Sequence, residues 1–93
     1  MTGKSSNWKI YLDPGALSDL RKLDRPIRKR ILDYLEKKIA PSKDPRLFAR
    51  QLHGQFRHLW RFRVGDYRIF AQIQDRMVRV WVIRIGHRKE VYK

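Results

Sequence analysis

Between Trp60 and Ala71, apolar and basic side chains alternate on either side of Gly65-Asp66, and no other stretch limits the fold so tightly. Two alternating runs joined by two turn-forming residues specify a β-hairpin. A turn of that length fixes the register, pairing Val64 with Tyr67, Arg63 with Arg68, Phe62 with Ile69, Arg61 with Phe70 and Trp60 with Ala71. Successive side chains of a strand point to opposite faces. Trp60, Phe62, Val64, Tyr67, Ile69 and Ala71 therefore share a face suited to a core, while Arg61, Arg63, Arg68 and Phe70 share the other.

The hairpin needs something to cover its apolar face, and the N-terminal half supplies two helices. Trp8–Leu12 is a short strand rich in aromatic and β-branched residues. Asp13 and Pro14 are then an N-cap and a first helical residue, with Leu17, Leu20 and Leu23 predicted as the buried stripe. Asp24 and Pro26 repeat the start signal, and Ile27, Ile31, Tyr34, Leu35 and Ile39 follow at helical spacing until Pro41. The opposite side of that second helix carries Arg28, Lys29, Asp33, Glu36 and Lys37, a solvated face with Lys29–Asp33 and Asp33–Lys37 pairs.

Residues 41–55 read as a long connection with one helical turn near Arg46–Arg50. Strands are predicted at Arg57–Val64, Tyr67–Ile73 and Met77–Ile85, the last two joined through Gln74-Asp75-Arg76. A simple register across that turn would bring Val78, Val80 and Val82 onto the face of Arg68 and Phe70, as an apolar strip beside the basic patch. The expected fold class is α+β, with both helices on one face of a mostly antiparallel sheet of about four strands. Residues 1–7 are expected to be a flexible N-terminus and residues 8–93 one domain, because a chain this short supports a single core.

Lys and Arg number 23 against 9 Asp and Glu, a formal charge of +14, so the expected partner is a polyanion. Without cysteine the chain has neither disulfides nor Cys-ligated zinc, which fits a reducing cytoplasm. The spacing of His53, His58 and His87 is not that of metal ligands, no carboxylate cluster offers a magnesium site, and no segment is a membrane span. His53 reads as a turn residue and His58 as a strand-end residue. Arg63 opposite Arg68 is a like-charge pair that costs stability unless an anion lies between them. The same arginines would also keep an open sheet face soluble.

Arg63-Val64-Gly65-Asp66-Tyr67-Arg68 and Ile85-Gly86-His87-Arg88-Lys89-Glu90-Val91-Tyr92 at this separation, with the Leu52-His53-Gly54 approach, resemble the RelE branch of the RelE/ParE toxin superfamily. The resemblance runs from about Trp8 to the end. It implies a cytoplasmic toxin that enters the ribosomal A site, cuts messenger RNA there, and is held inactive by an acidic, RelB-like antitoxin. In such enzymes the substrate's own 2′-hydroxyl attacks the adjacent phosphate, with no metal or other cofactor. The family positions carry over onto Arg61, Arg63, Arg68, Arg88 and Tyr92, with His87 beside them as a further catalytic candidate; RNA contacts are expected at Arg61, Arg63, Arg68, Phe70, Arg84 and Lys89.

Arg61 and Arg63 depart from the lysines common in the best-known members. Arginine is always charged and cannot serve as a base. Arg61, Arg63 and Arg68 are thus expected to clamp phosphate, Arg88 to meet the transition-state charge or leaving oxygen, and either His87 or Tyr92 to take the hydroxyl proton. Two other functions remain open at this level: a ParE-like poison that binds DNA gyrase without chemistry, and an RNA-binding module without turnover.

Overall fold

Asp13 ends the first strand and starts the first helix, as its side chain predicts. Its carboxylate accepts from the Gly15 N–H at 3.0 Å and Pro14 opens the helix. The computed structural model describes residues 7–88. Along them run β1 (Lys9–Leu12), α1 (Pro14–Arg21), α2 (Arg25–Tyr34), β2 (Ala49–Gln51), β3 (Trp60–Val64), β4 (Tyr67–Gln74) and β5 (Arg79–His87). A π-helical turn, Leu35–Ile39, prolongs α2, and 3-10 turns cover Pro45–Phe48 and Gly54–Phe56. No helix among the described residues is long and apolar enough to cross a membrane.

The five strands are ordered β1-β5-β4-β3-β2, antiparallel except for β1 beside β5. The fold is α+β, two N-terminal helices on a mostly antiparallel sheet. The β3–β4 hairpin has all five expected pairs, and Gly65 takes the positive φ of 59° that its two-residue turn requires. Phe62, Val64, Ile69 and Ala71 pack with Ile31, Leu35 and Ile39 of the second helix and with Ala16 and Leu20 of the first. Lys29 and Lys37 both reach Asp33, at 2.9 and 3.9 Å, on the solvated face.

Four expectations are corrected. Leu17 is 40% exposed, and α1 buries Ala16, Asp19 and Leu20 instead, because the helix packs beside β5 rather than squarely over the sheet. The connection over residues 41–55 contains β2, whose three residues are too few to show a period. The helical turn expected near Arg46–Arg50 is present, over Pro45–Phe48, whereas the strand predicted from Arg57 begins only at Trp60.

The fourth concerns Val78, Val80 and Val82. Gln74 pairs with Arg79, so the turn spans residues 75–78 and Ile73 faces Val80 rather than Met77. That displacement is odd, and an odd slip exchanges the faces of a strand. Val80 and Val82 are fully buried in the core, and Val78 lies in the turn with φ 49°. A bulge opposite Phe70/Ala71 then alters the register again, so that Phe70 faces Arg84 and Ile83 is the extra residue. The apolar strip expected beside the arginines belongs to the core.

Candidate nucleic-acid interface

The face of the sheet turned away from the core carries arginines in two rows. Arg50 pairs with Arg61, Arg61 with Phe70, and Phe70 with Arg84, so one row crosses four strands. Arg63 pairs with Arg68, and Arg68 with Gly86, two positions further on. Adjacent strands lie about 4.8 Å apart and two residues of a strand span roughly 6 to 7 Å. The rows therefore concentrate guanidiniums at phosphate-scale spacings. Arg88 follows β5 and donates its backbone N–H to the Asp66 carbonyl at 2.8 Å, which anchors it beside the turn flanked by Arg63 and Arg68.

Arg50 was absent from the expected set, because nothing in Ala49-Arg50-Gln51 marks a strand until its pairing with Arg61 is known. Beside it, Leu47, Phe48 and Ala49 with Arg50, Arg61 and Arg63 line a shallow depression at the β2 edge. Among the described residues Arg50, Arg63, Arg68 and Arg88 form no ion pair.

Arg68 is the unusual member. It is only 6% exposed, its Nη1 donates weakly to the Tyr67 carbonyl at 3.4 Å, and its buried Nε has no acceptor among the described residues. Burying a guanidinium without a carboxylate is costly, and groups left in that condition are common where a ligand supplies the countercharge. Gly86 opposite it carries no side chain to crowd that position.

Arg84 is held differently. β1 ends at Leu12, which leaves the later part of β5 without a strand on that edge, and α1 lies there instead. Asp19 accepts from the Ile85 N–H at 2.9 Å and from Arg84 Nε and Nη2 at 2.8 and 3.3 Å. Burial opposes ionisation of Asp19, but the hydrogen bonds from Arg84 and Ile85 and the charges of Arg84 and Lys22 outweigh it and hold the carboxyl below its usual range. The hydrogen bond and charge of Asp19 in turn raise the Arg84 value. Next to this pair, Leu52, Phe56, Leu59, Phe70 and Ile83 line an open hollow of about 650 Å³.

His87 pairs with Tyr67 and stands edge-on to its ring, with centroids 5.4 Å apart. Tyr67 continues the face of Ile69 and Ala71, so His87 lies across the sheet from Arg63 and Arg68. Arg61, Arg63, Arg68, Phe70 and Arg84 share the open face; Lys89 and Tyr92 lie outside the described residues. Among the described residues no three His, Asp or Glu side chains gather as a metal site.

Comparison with known proteins adds a family. The model for the ParE toxin of the type II toxin-antitoxin system, parDE, matches residues 10–92. No curated protein sequence matches significantly. Among solved structures, the Mycobacterium tuberculosis RelBE2 toxin–antitoxin complex contains a similar chain at 22% identity, covering 94% of this chain and 98% of that one, with a TM-score of 0.84. The isolated Escherichia coli RelE toxin is 26% identical over 91% and 90% of the two chains, TM-score 0.67. A chain of the Methanococcus jannaschii RelB–RelE antitoxin–toxin complex is 25% identical over 88% and 94%, TM-score 0.67. The chain belongs to the RelE/ParE superfamily of type II toxins.

Proposed function

We propose that this toxin is a ribosome-dependent endoribonuclease that cuts messenger RNA in the A site, and that an acidic, RelB-like antitoxin neutralises it. The observation that carries this reading is the buried Arg68, which has no carboxylate partner among the described residues and lies between Arg63 and Gly86 in a face of arginines. A protein that only bound another protein would gain little from burying an uncompensated cation, whereas a phosphate drawn into that position would satisfy it. Similar chains crystallised with RelB partners support the antitoxin.

The 2′-hydroxyl of the message attacks the adjacent phosphorus, the 5′-oxygen of the next nucleotide leaves, and a 2′,3′-cyclic phosphate results. Arg61, Arg63 and Arg68 clamp the phosphate in line for attack. Arg88 meets the charge that grows on the phosphorane or the leaving oxygen. His87 lies across the sheet, packed on Tyr67, so the hydroxyl proton is assigned to the phenolate form of Tyr92 from the C-terminal motif.

The match to the ParE model favours a second reading, a toxin that binds DNA gyrase without chemistry. The two are separated by mapping 5′ ends of messages after brief induction, with and without translation, beside a gyrase supercoiling assay. New ends confined to translated regions are expected. Blocked supercoiling with no new ends would assign the protein to the second reading.

A further inference from the structure

The arginine rows occupy one part of the open face; the part over β1 and the start of β5 is aromatic as well as basic. Tyr11 pairs with Trp81, and Trp81 with Gln72. Ile10, Leu12, Val80 and Val82 turn into the core, so alternation turns Tyr11 and Trp81 outward. Tyr11 is 53% exposed, an unusual place for a large ring in the middle of a strand. The Arg79 guanidinium lies 4.8 Å from its ring centroid. Arg79 Nε donates to Gln74 Oε1 at 2.7 Å, and Gln74 Nε2 to Gln72 Oε1 at 3.3 Å, which fixes the guanidinium in place. Lys9 pairs with Arg79, and none of these six side chains is acidic.

Trp81 lies ahead of the bulge that faces Phe70, so this strip begins roughly 6 to 7 Å, one two-residue step, from the row of Arg84, Phe70 and Arg61. We propose, on the ribonuclease reading above, that the strip binds the single-stranded message beside the cut bond, with bases stacked on Tyr11, Trp81 and the Arg79 plane. Single strands are held where flat rings and cations alternate, since every base has a face to stack and every nucleotide a charge. Lys9 and Arg79 supply the charge, and Gln72 and Gln74 offer donors and acceptors to base edges. An acidic peptide would exploit the cations and leave the aromatic planes unused.

The test uses the whole protein, a labelled single-stranded RNA decamer read by fluorescence anisotropy at fixed salt, and single-turnover cutting on programmed ribosomes. Tyr11→Ala and Arg79→Gln alter exposed or half-buried positions and keep the core intact; Trp81→Leu is the third variant. Tyr11→Ala should weaken RNA binding roughly 5- to 100-fold. That loss should shrink to about twofold or less when the RNA carries abasic nucleotides, because the stacking partner is gone. Binding by Tyr11→Ala and Arg79→Gln within about twofold of the parent would overturn the proposal. So would an equal loss for polyglutamate, which would assign the strip to an acidic protein. If the strip variants match a parent that binds and cuts RNA, the strip alone fails; if the parent neither binds nor cuts, the ribonuclease reading fails.

Discussion

Asp19→Ala removes the acceptor of three hydrogen bonds at the part of the β5 edge that lies beyond the end of β1. The buried Ile85 N–H is left without a partner, a loss of about 1 to 3 kcal/mol. Arg84 is 64% exposed, so its ion pair adds only about 0 to 1 kcal/mol after solvent screening. A total of about 1 to 4 kcal/mol corresponds to a fall in Tm of roughly 4 to 30 °C for a domain of this size. The pH dependence has a definite sign. The Asp19 carboxyl titrates below its ordinary value in the folded chain, so its stabilisation is complete above the unfolded value near 3.8 and is lost as pH falls through the folded one. Urea unfolding should thus show the full gap between parent and Asp19→Asn at pH 7, closing below about pH 4. A loss in Asp19→Ala smaller than about 0.5 kcal/mol at pH 7 would refute the edge-capping role, given the size expected for an orphaned amide. A gap that stayed constant into strong acid would refute the ionised form as the source.

Arg68→Met should leave stability unchanged or raise it by about 1 kcal/mol in urea unfolding while weakening RNA binding, since a buried cation with no carboxylate partner among the described residues gives way to an apolar chain. Val78→Gly should stabilise by about 1 kcal/mol in the same assay, because Val78 holds φ 49° where a β-branched residue is strained. Affinity for single-stranded RNA should fall steeply with salt, at a logarithmic slope of roughly −0.7 per phosphate contacted, and Arg63→Ala should reduce that slope by about one contact. Arg88→Ala should slow single-turnover cutting about 10² to 10³-fold with little change in ribosome binding, whereas Arg61→Lys and Arg63→Lys, which keep the charge, should retain substantial activity.

The hairpin was legible because a two-residue turn leaves only one register, so the arginine face could be assembled from Arg61, Arg63, Arg68 and Phe70 alone. The helices were legible from their Asp and Pro start signals and a 3.6-residue period, although Asp24, unlike Asp13, makes no side-chain capping bond. Leu17 was misplaced because α1 meets β5 and buries Ala16, Asp19 and Leu20. The position of β5 was not legible. Its turn is longer than the Gly-free sequence suggested, Val78 adopts a conformation rare for valine, and the bulge opposite Phe70 leaves no local signal. Arg50 carries no local signal for a related reason, since a three-residue strand is defined by its partner. The burial of Arg68 is a property of the packed sheet, and no pattern of residue types announces it.

If this arginine face cleaves RNA through the substrate's 2′-hydroxyl, as proposed, the chemistry of the product ends will show it. Ribosomes programmed with a defined message should yield a 5′-hydroxyl and a 2′,3′-cyclic or 3′-phosphate at the A-site codon. A single 2′-deoxy sugar at the cut position should abolish cutting. Recovery of 5′-phosphate ends, or undiminished cutting of the deoxy-substituted message, would contradict the account.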